Sequence, residues 1–213
     1  MEIRSKMRQS WCRCCGWLLC SVLISCPLPT LAKDKSHLQV AVQPIAGGFA
    51  IRASFPVAVS PAQAFAVMTD YDHMAQFIPQ MRKSQILWRN GAREAVLQEG
   101  FVDLLWLRLP SYVVMSVRFA SDEMVLFHST NGNIQIRGQA QVHPTATGSV
   151  VDYESTMKPQ IAIPLGLAQN FVAQYIRQQM MALRAEMLRV NAHPAENAAQ
   201  QNPGGGGQQI GAR

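Results

Sequence analysis

The sequence predicts an α+β fold, a meander of antiparallel strands packed on one long C-terminal helix. Three observations carry this. First, residues 165–191 repeat apolar side chains at helical spacing: Ala168, Phe171, Val172, Tyr175, Ile176, Met180, Leu183 and Met187. Arg177, Arg184, Glu186 and Arg189 lie mostly off that stripe. At 1.5 Å per residue such a helix is about 40 Å long and crosses a whole sheet. Second, NIQIRGQAQV alternates strictly. Ile134, Ile136, Gly138, Ala140 and Val142 share one face, and Gln135, Arg137, Gln139 and Gln141 the other. One buried and one wet face is the pattern of an antiparallel sheet covered on one side. Third, turn signals recur between apolar runs, at Asn90-Gly91, Pro110-Ser111, Ser121-Asp122, Asn131-Gly132-Asn133, and His143-Pro144 through Gly148.

Taken in order, residues 1–32 stand apart. Arg4, Lys6, Arg8 and Arg13 against Glu2 make a basic start. Trp17 to Cys26 (WLLCSVLISC) is an apolar run too short to span a bilayer as a helix. Thr30-Leu31-Ala32 then offers small residues for a cleavage site. This predicts a secretory signal peptide and an exported, periplasmic product. Leu23-Ile24-Ser25-Cys26 also fits a lipoprotein signal, with a lipid anchor on Cys26. All five cysteines fall in this segment, so cleavage after Ala32 leaves no thiol, disulfide or cysteine metal site. It also leaves 15 basic and 12 acidic residues, a net charge of +3. No run of like charges remains, which argues against a nucleic-acid partner. At the other end, residues 194–213 are rich in Gly, Gln, Asn and Pro and read as a flexible tail. The domain is residues 33–193.

Within it, Leu38, Val40 and Val42 alternate, Gly47-Gly48 turns the chain, and Phe49, Ile51, Ala53 and Phe55 alternate on the return. That is a hairpin. Ser60-Pro61-Ala62-Gln63 starts a helix, with Ser60 as cap, Pro61 at the first helical position and Gln63 closing a capping box. Pro79 forbids its continuation, so two short helices broken near Asp70–Asp72 are expected. A strand with Ile86 and Trp88 leads into Asn90-Gly91. Residues 93–109, 111–120, 123–130, 133–143 and 149–158 read as further strands.

The stretch TDYDH, residues 69–73, sets two carboxylates beside a histidine. Its first reading is structural: Asp ends helices and bonds backbone N–H groups where a chain must turn. Tyr71 and Phe77 then anchor the turn by packing on the sheet. A ligand-gating role for Tyr71, Phe77 and Ile78 is the second reading, and a metal or acid–base cluster the least, because the i, i+4 histidine spacing of a zinc helix is missing. Nor is there a G-x-S-x-G elbow or a phosphate loop. The sequence therefore nominates no catalytic residue, no metal ligand and no cofactor.

The segment SPAQAFAVMTDYDHMAQFIPQMRKSQIL, followed by VLQEG, resembles the START-like superfamily, in its polyketide cyclase/dehydrase and coenzyme-Q-binding branch. The matching elements are the turn Thr69 to Asp72, the Phe77-Ile78-Pro79 segment and the strand Gln98-Glu99-Gly100. The likeness covers about residues 40–190. It implies a helix-grip fold, a curved antiparallel sheet wrapped around the long helix, which encloses space. It implies a binder or an enzyme, since relatives of both kinds share the scaffold.

On that scaffold the expected ligand-binding residues are Tyr71, Phe77, Ile78, Glu99, Trp106, Met115, Phe127, Ile136, Tyr153, Phe171, Tyr175 and Met180. Methionine and aromatic side chains suit an irregular apolar ligand. Most such residues are plain core in any domain. Glu99 is either a buried proton donor or acceptor or a solvated strand residue. His128, Asp103 and Arg137 also sit in strands that border the enclosed space. The run FVDLLWLRLP, residues 101–110, is apolar on both strand faces. It is either a doubly covered strand or a lip at the cavity mouth that touches membrane transiently. The expected function is an exported binder of a hydrophobic small molecule such as a lipid, isoprenoid or quinone-like compound. A cyclase- or hydrolase-type enzyme and a ligand-free interaction module are the alternatives.

Overall fold

The computed structural model describes residues 37–104, 107–160 and 165–193. The chain opens with the hairpin β1 (Gln39–Ile45) and β2 (Gly48–Val57), turned at Gly47, whose φ of 76° favours glycine. Phe49, Ile51, Ala53 and Phe55 of β2 are all buried, as their alternation requires. Then come α1 (Pro61–Met68) and the single turn α2 (Met74–Phe77). Ser60 and Gln63 form the capping box: Ser60 Oγ accepts from the Gln63 N–H at 3.3 Å, and Gln63 Oε1 accepts from the Ser60 N–H at 3.3 Å. A meander follows: β3 (Met81–Asn90), β4 (Arg93–Leu104), β5 (Leu107–Ser121), β6 (Met124–Gly132), β7 (Ile134–Thr145) and β8 (Gly148–Pro159). The helix α3 (Leu165–Ala192) ends the described chain.

The eight strands form one antiparallel sheet in the order β1-β2-β8-β7-β6-β5-β4-β3. The first hairpin therefore pairs with the last strand, β2 on β8 from Phe49↔Met157 to Val57↔Ser149. This brings both chain ends of the domain to one side, where α3 packs on β1 and β2. Gln169 Nε2 donates to the Val42 carbonyl at 2.8 Å and ties the helix to the edge strand. Buried Ser149 donates to the Val59 carbonyl at 2.7 Å and holds the lead-in to α1 on the sheet. The core stripe of α3 is Ala168, Val172, Ile176, Met180, Leu183 and Met187, all buried. Sheet and long helix together make the helix-grip fold.

One predicted strand is corrected. Residues 93–109 are not a single strand broken at Pro110-Ser111. They are β4 and the start of β5, paired from Arg93↔Arg118 to Leu104↔Leu107. The reversal lies between Leu104 and Leu107, where the sequence carries no Gly, Asn or Pro to announce a turn. Pro110 sits inside β5 instead, opposite Phe101. It is tolerated because pairing of β5 with β6 begins only at Val113↔Gly132, so β5 has a single neighbour there.

Candidate functional site

Sheet, α3 and the α1–α2 segment line a partly open cavity of about 220 Å³. Its walls are mainly apolar. Met115 and Val117 of β5, Val125 and Phe127 of β6 and Ile136 of β7 project from the sheet, and Val172, Ile176, Met180 and Leu183 from the helix. The strand period puts these sheet residues on one face. Met68, Met74 and Ile78 close the side nearest α1 and α2.

Three tyrosines bring hydroxyls into this apolar space. Tyr71, Tyr153 and Tyr175 all line it. Burial pushes the Tyr175 hydroxyl up to about 12, partly offset by its hydrogen bond with Gln179 and reinforced by the neighbouring Tyr153. Burial also raises Tyr153, with Ser155 opposing, and raises Tyr71, helped by Glu94 and Tyr153. All three are neutral donors at ordinary pH. Tyr153 stands among them and stacks on Phe127, ring centroids 5.7 Å apart. A buried ligand oxygen has hydroxyl donors available here.

One end of the cavity is polar. Gln80, Gln98, Glu99, Gly100 and Ser111 meet there. Gln80 is the one described non-glycine residue with positive φ, at 65°. Its Nε2 donates to Asp103 at 3.3 Å, while its Oε1 is buried without a partner among the described residues. Gly100 makes this conformation possible: a Cβ there would stand 2.3 Å from the Gln80 carbonyl oxygen. Gln98 donates weakly to Met74 Sδ and Ser84 Oγ, each at 3.5 Å.

Residues 49–188 match the family described as polyketide cyclase / dehydrase and lipid transport. The chain belongs to that family. No curated protein sequence matches it. Among solved structures, it is similar to a STAR-related lipid transfer protein from Xanthomonas axonopodis, at 19% identity and a TM-score of 0.61, over 73% of this chain and 96% of that one. Human STARD10 gives 10% identity and a TM-score of 0.61, over 79% and 74%. The Zhui aromatase/cyclase from Streptomyces sp. R1128 gives 10% identity and a TM-score of 0.54, over 72% and 96%. At these identities the likeness is one of fold.

For this family member, most of the residues expected at a ligand site do converge. Tyr71, Ile78, Glu99, Met115, Phe127, Ile136, Tyr153, Tyr175 and Met180 line the cavity. Glu99 is half-buried at the polar end. Two do not line it. Phe77 packs against the outside of the core cluster. Phe171 is half-buried and misses the cavity, because at 100° per residue it lies about 120° around α3 from the middle of the buried stripe. Trp106, residues 1–36 and residues 194–213 lie outside the described residues. Exposed His128 and Arg137 point away from the cavity, and exposed Asp103 pairs with Arg108 at 2.8 Å.

The Asp70–Asp72 turn is built as a turn. Asp70 Oδ1 contacts His73 Nδ1 at 2.7 Å, and Asp72 Oδ1 accepts the Ile86 N–H at 2.8 Å. Tyr71 between them is buried. Among the described residues no cluster of His, Cys, Asp or Glu has the makings of a metal site.

Sequence reasoning missed Glu94, which is 3% exposed. It pairs with Arg89 across the β3–β4 hairpin, and its other oxygen, Oε2, has no hydrogen-bond partner among the described residues. The signal was present: period-two alternation puts Glu94 on the face of Val96 and Gln98. Met68, Met74, Met81 and Gln179 were missed as well: Met68 and Met74 belong to helices too short to show a period, Met81 opens β3, and Gln179 is a polar residue of α3 outside its apolar stripe.

Proposed function

We propose that the protein binds a hydrophobic small molecule, of lipid, isoprenoid or quinone-like character, in the cavity between sheet and α3. The observation that carries this is the lining: an apolar enclosure with a few neutral hydroxyl and amide groups, the composition of a site that binds by burial and orients by hydrogen bonds. The neutral tyrosines suit a ligand with one carbonyl or hydroxyl among hydrocarbon. Membership of a lipid-transport and cyclase family supports the same class of ligand. The test is a titration of the full chain with N-phenyl-1-naphthylamine, a neutral apolar fluorophore, followed by displacement with long-chain lipids. Saturable, displaceable binding at one site per chain is expected. Absence of saturable binding contradicts the reading.

The reading includes export, carried by the basic, apolar and small-residue sequence of residues 1–32. N-terminal sequencing of envelope material is expected to find a start at Lys33. An acylated Cys26 would mean a lipid-anchored form, and an intact Met1 in cytosolic protein would refute export. The reading also includes transient membrane contact through residues 101–110, carried by their apolar sequence.

A further inference from the structure

The walls of the cavity are held unequally. The sheet is a continuous antiparallel ladder, α3 is a helix of 28 residues, and α1 is capped and buries Ala64, Val67 and Met68. The stretch from the end of the α1 turn to β3 is different. α2 is one turn, none of its four residues is buried, and His73 at its start makes no side-chain capping bond. Among residues 73–79 Ile78 alone is buried. The backbone bonds are local: the Gln76 N–H donates to the His73 carbonyl and the Ile78 N–H to that of Met74, each at 2.9 Å. The side-chain tie to the sheet is the weak 3.5 Å bond from Gln98 to Met74 Sδ. Both ends of the stretch are pinned. Tyr71 is buried and Asp72 accepts the Ile86 N–H at one end, and the Phe101 N–H donates to the Gln80 carbonyl at 3.1 Å at the other. Residues 73–80 are thus a strap across the cavity, which Met74 and Ile78 line from it. Few buried side chains and local hydrogen bonds mark a segment that opens without the rest of the fold.

A second observation lies at the pinned end. Gln80, directly before β3, has a φ of 65°, which a residue with a Cβ rarely adopts. Its Oε1 is buried without a partner among the described residues. The orientation of this amide is fixed, because Asp103 accepts from Nε2 and a carbonyl oxygen in its place would donate nothing. The strap as it lies therefore carries a strained backbone and a dehydrated oxygen. An outward swing returns Gln80 to negative φ and hydrates that oxygen, while it exposes Met74 and Ile78. The two positions are set against each other by opposing terms, as in segments that switch.

We propose that residues 73–80 are the entry gate of the cavity, a strap that swings about Gln80 to admit the ligand and closes on it through Met74 and Ile78. This rests on the cavity reading above and adds how that site is reached. Gln80 has the place of a hinge, an element-terminal position that absorbs the φ/ψ change.

The experiment measures association and dissociation of N-phenyl-1-naphthylamine by stopped flow on the full chain, as wild type, Gln80→Gly and Gln80→Val. Glycine takes a φ of 65° without strain and has no side-chain oxygen to bury, so it favours the closed strap. Valine is β-branched and resists that φ, so it favours the open one. The probe needs an open strap both to enter and to leave, so both rate constants move together. Glycine is expected to lower both about fivefold and valine to raise both by a similar factor, with Kd unchanged within about twofold. A change confined to dissociation, with Kd following it, makes Gln80 an ordinary contact residue and overturns the gate. Rates that neither variant moves overturn it as well. Both results leave the cavity reading standing, whereas a probe that never saturates overturns the cavity reading and the gate with it. Hydrogen exchange is the second readout and decides with Gln80→Gly alone if Gln80→Val does not fold. Residues 73–80 are expected to exchange ahead of α1 and β4, more slowly in Gln80→Gly, and more slowly with probe bound. Exchange no faster than that of α1 overturns the gate.

Discussion

Val113→Phe separates a cavity from a filled core by the sign of its effect. Val113 lines the cavity from β5, opposite Gln98 of β4, and is half-buried. The substitution adds roughly four carbon-sized groups, each worth about 0.8 kcal/mol when buried, which sets a ceiling of about 3 kcal/mol. Val113 stands near the polar end, so part of the new ring stays wet and a gain of about 1 kcal/mol is expected. The same change in a filled core forces side chains off their rotamers and costs about 1–3 kcal/mol. Phenylalanine suits a strand as well as valine does, so propensity does not blur the comparison. Urea unfolding of the full chain measures the first quantity, and titration with N-phenyl-1-naphthylamine the second. Stability unchanged or raised, with probe affinity lowered at least about tenfold, is the expected pair of results. A loss of about 2 kcal/mol or more with probe affinity unchanged would refute the reasoning.

Tyr175→Phe is expected to weaken a ligand with a carbonyl or hydroxyl severalfold and leave a pure hydrocarbon unaffected, as compared by displacement titration. The same variant tests the alkaline limb of stability: a tyrosine raised to about 12 when folded contributes fully below its unfolded value of 10.0 and loses that contribution as pH rises toward 12. Between those values wild-type stability is therefore expected to fall more steeply than that of Tyr175→Phe, as followed by denaturant unfolding against pH. Asp72→Ala removes the acceptor for the Ile86 N–H and is expected to cost about 1 kcal/mol. Asp70→Asn, at a partly exposed pair with His73, is expected to cost less than about 1 kcal/mol. Neither is expected to change probe binding, and a collapse of binding in a folded variant would give the turn a functional role. Gly100→Ala pushes a methyl against the Gln80 carbonyl and is expected to cost about 1–3 kcal/mol, with altered probe affinity because both residues line the polar end.

The fold was legible wherever one face of an element is buried. NIQIRGQAQV and the α3 stripe announce their faces by period, and Ser60, Pro61 and Gln63 announce a helix start by chemistry. The β4–β5 hairpin was not legible. Its apolar sequence runs unbroken through the reversal, while Pro110, which looks like a break, sits in a stretch of strand with one neighbour. For the site, the inner-facing residues followed from alternation once the helix-grip arrangement was in view. Phe171 shows the limit of that logic: an apolar residue at helical spacing still misses the cavity when it lies well around the helix from the buried stripe.

Native mass spectrometry of the full chain, purified under non-denaturing conditions, with organic extraction of the same sample, tests the proposed cavity most directly. A bound species at one per chain that leaves on unfolding and extracts as a hydrophobic small molecule is the predicted result. A chain that flies at its bare mass, yields nothing on extraction and takes up no apolar probe when offered one in excess would contradict it.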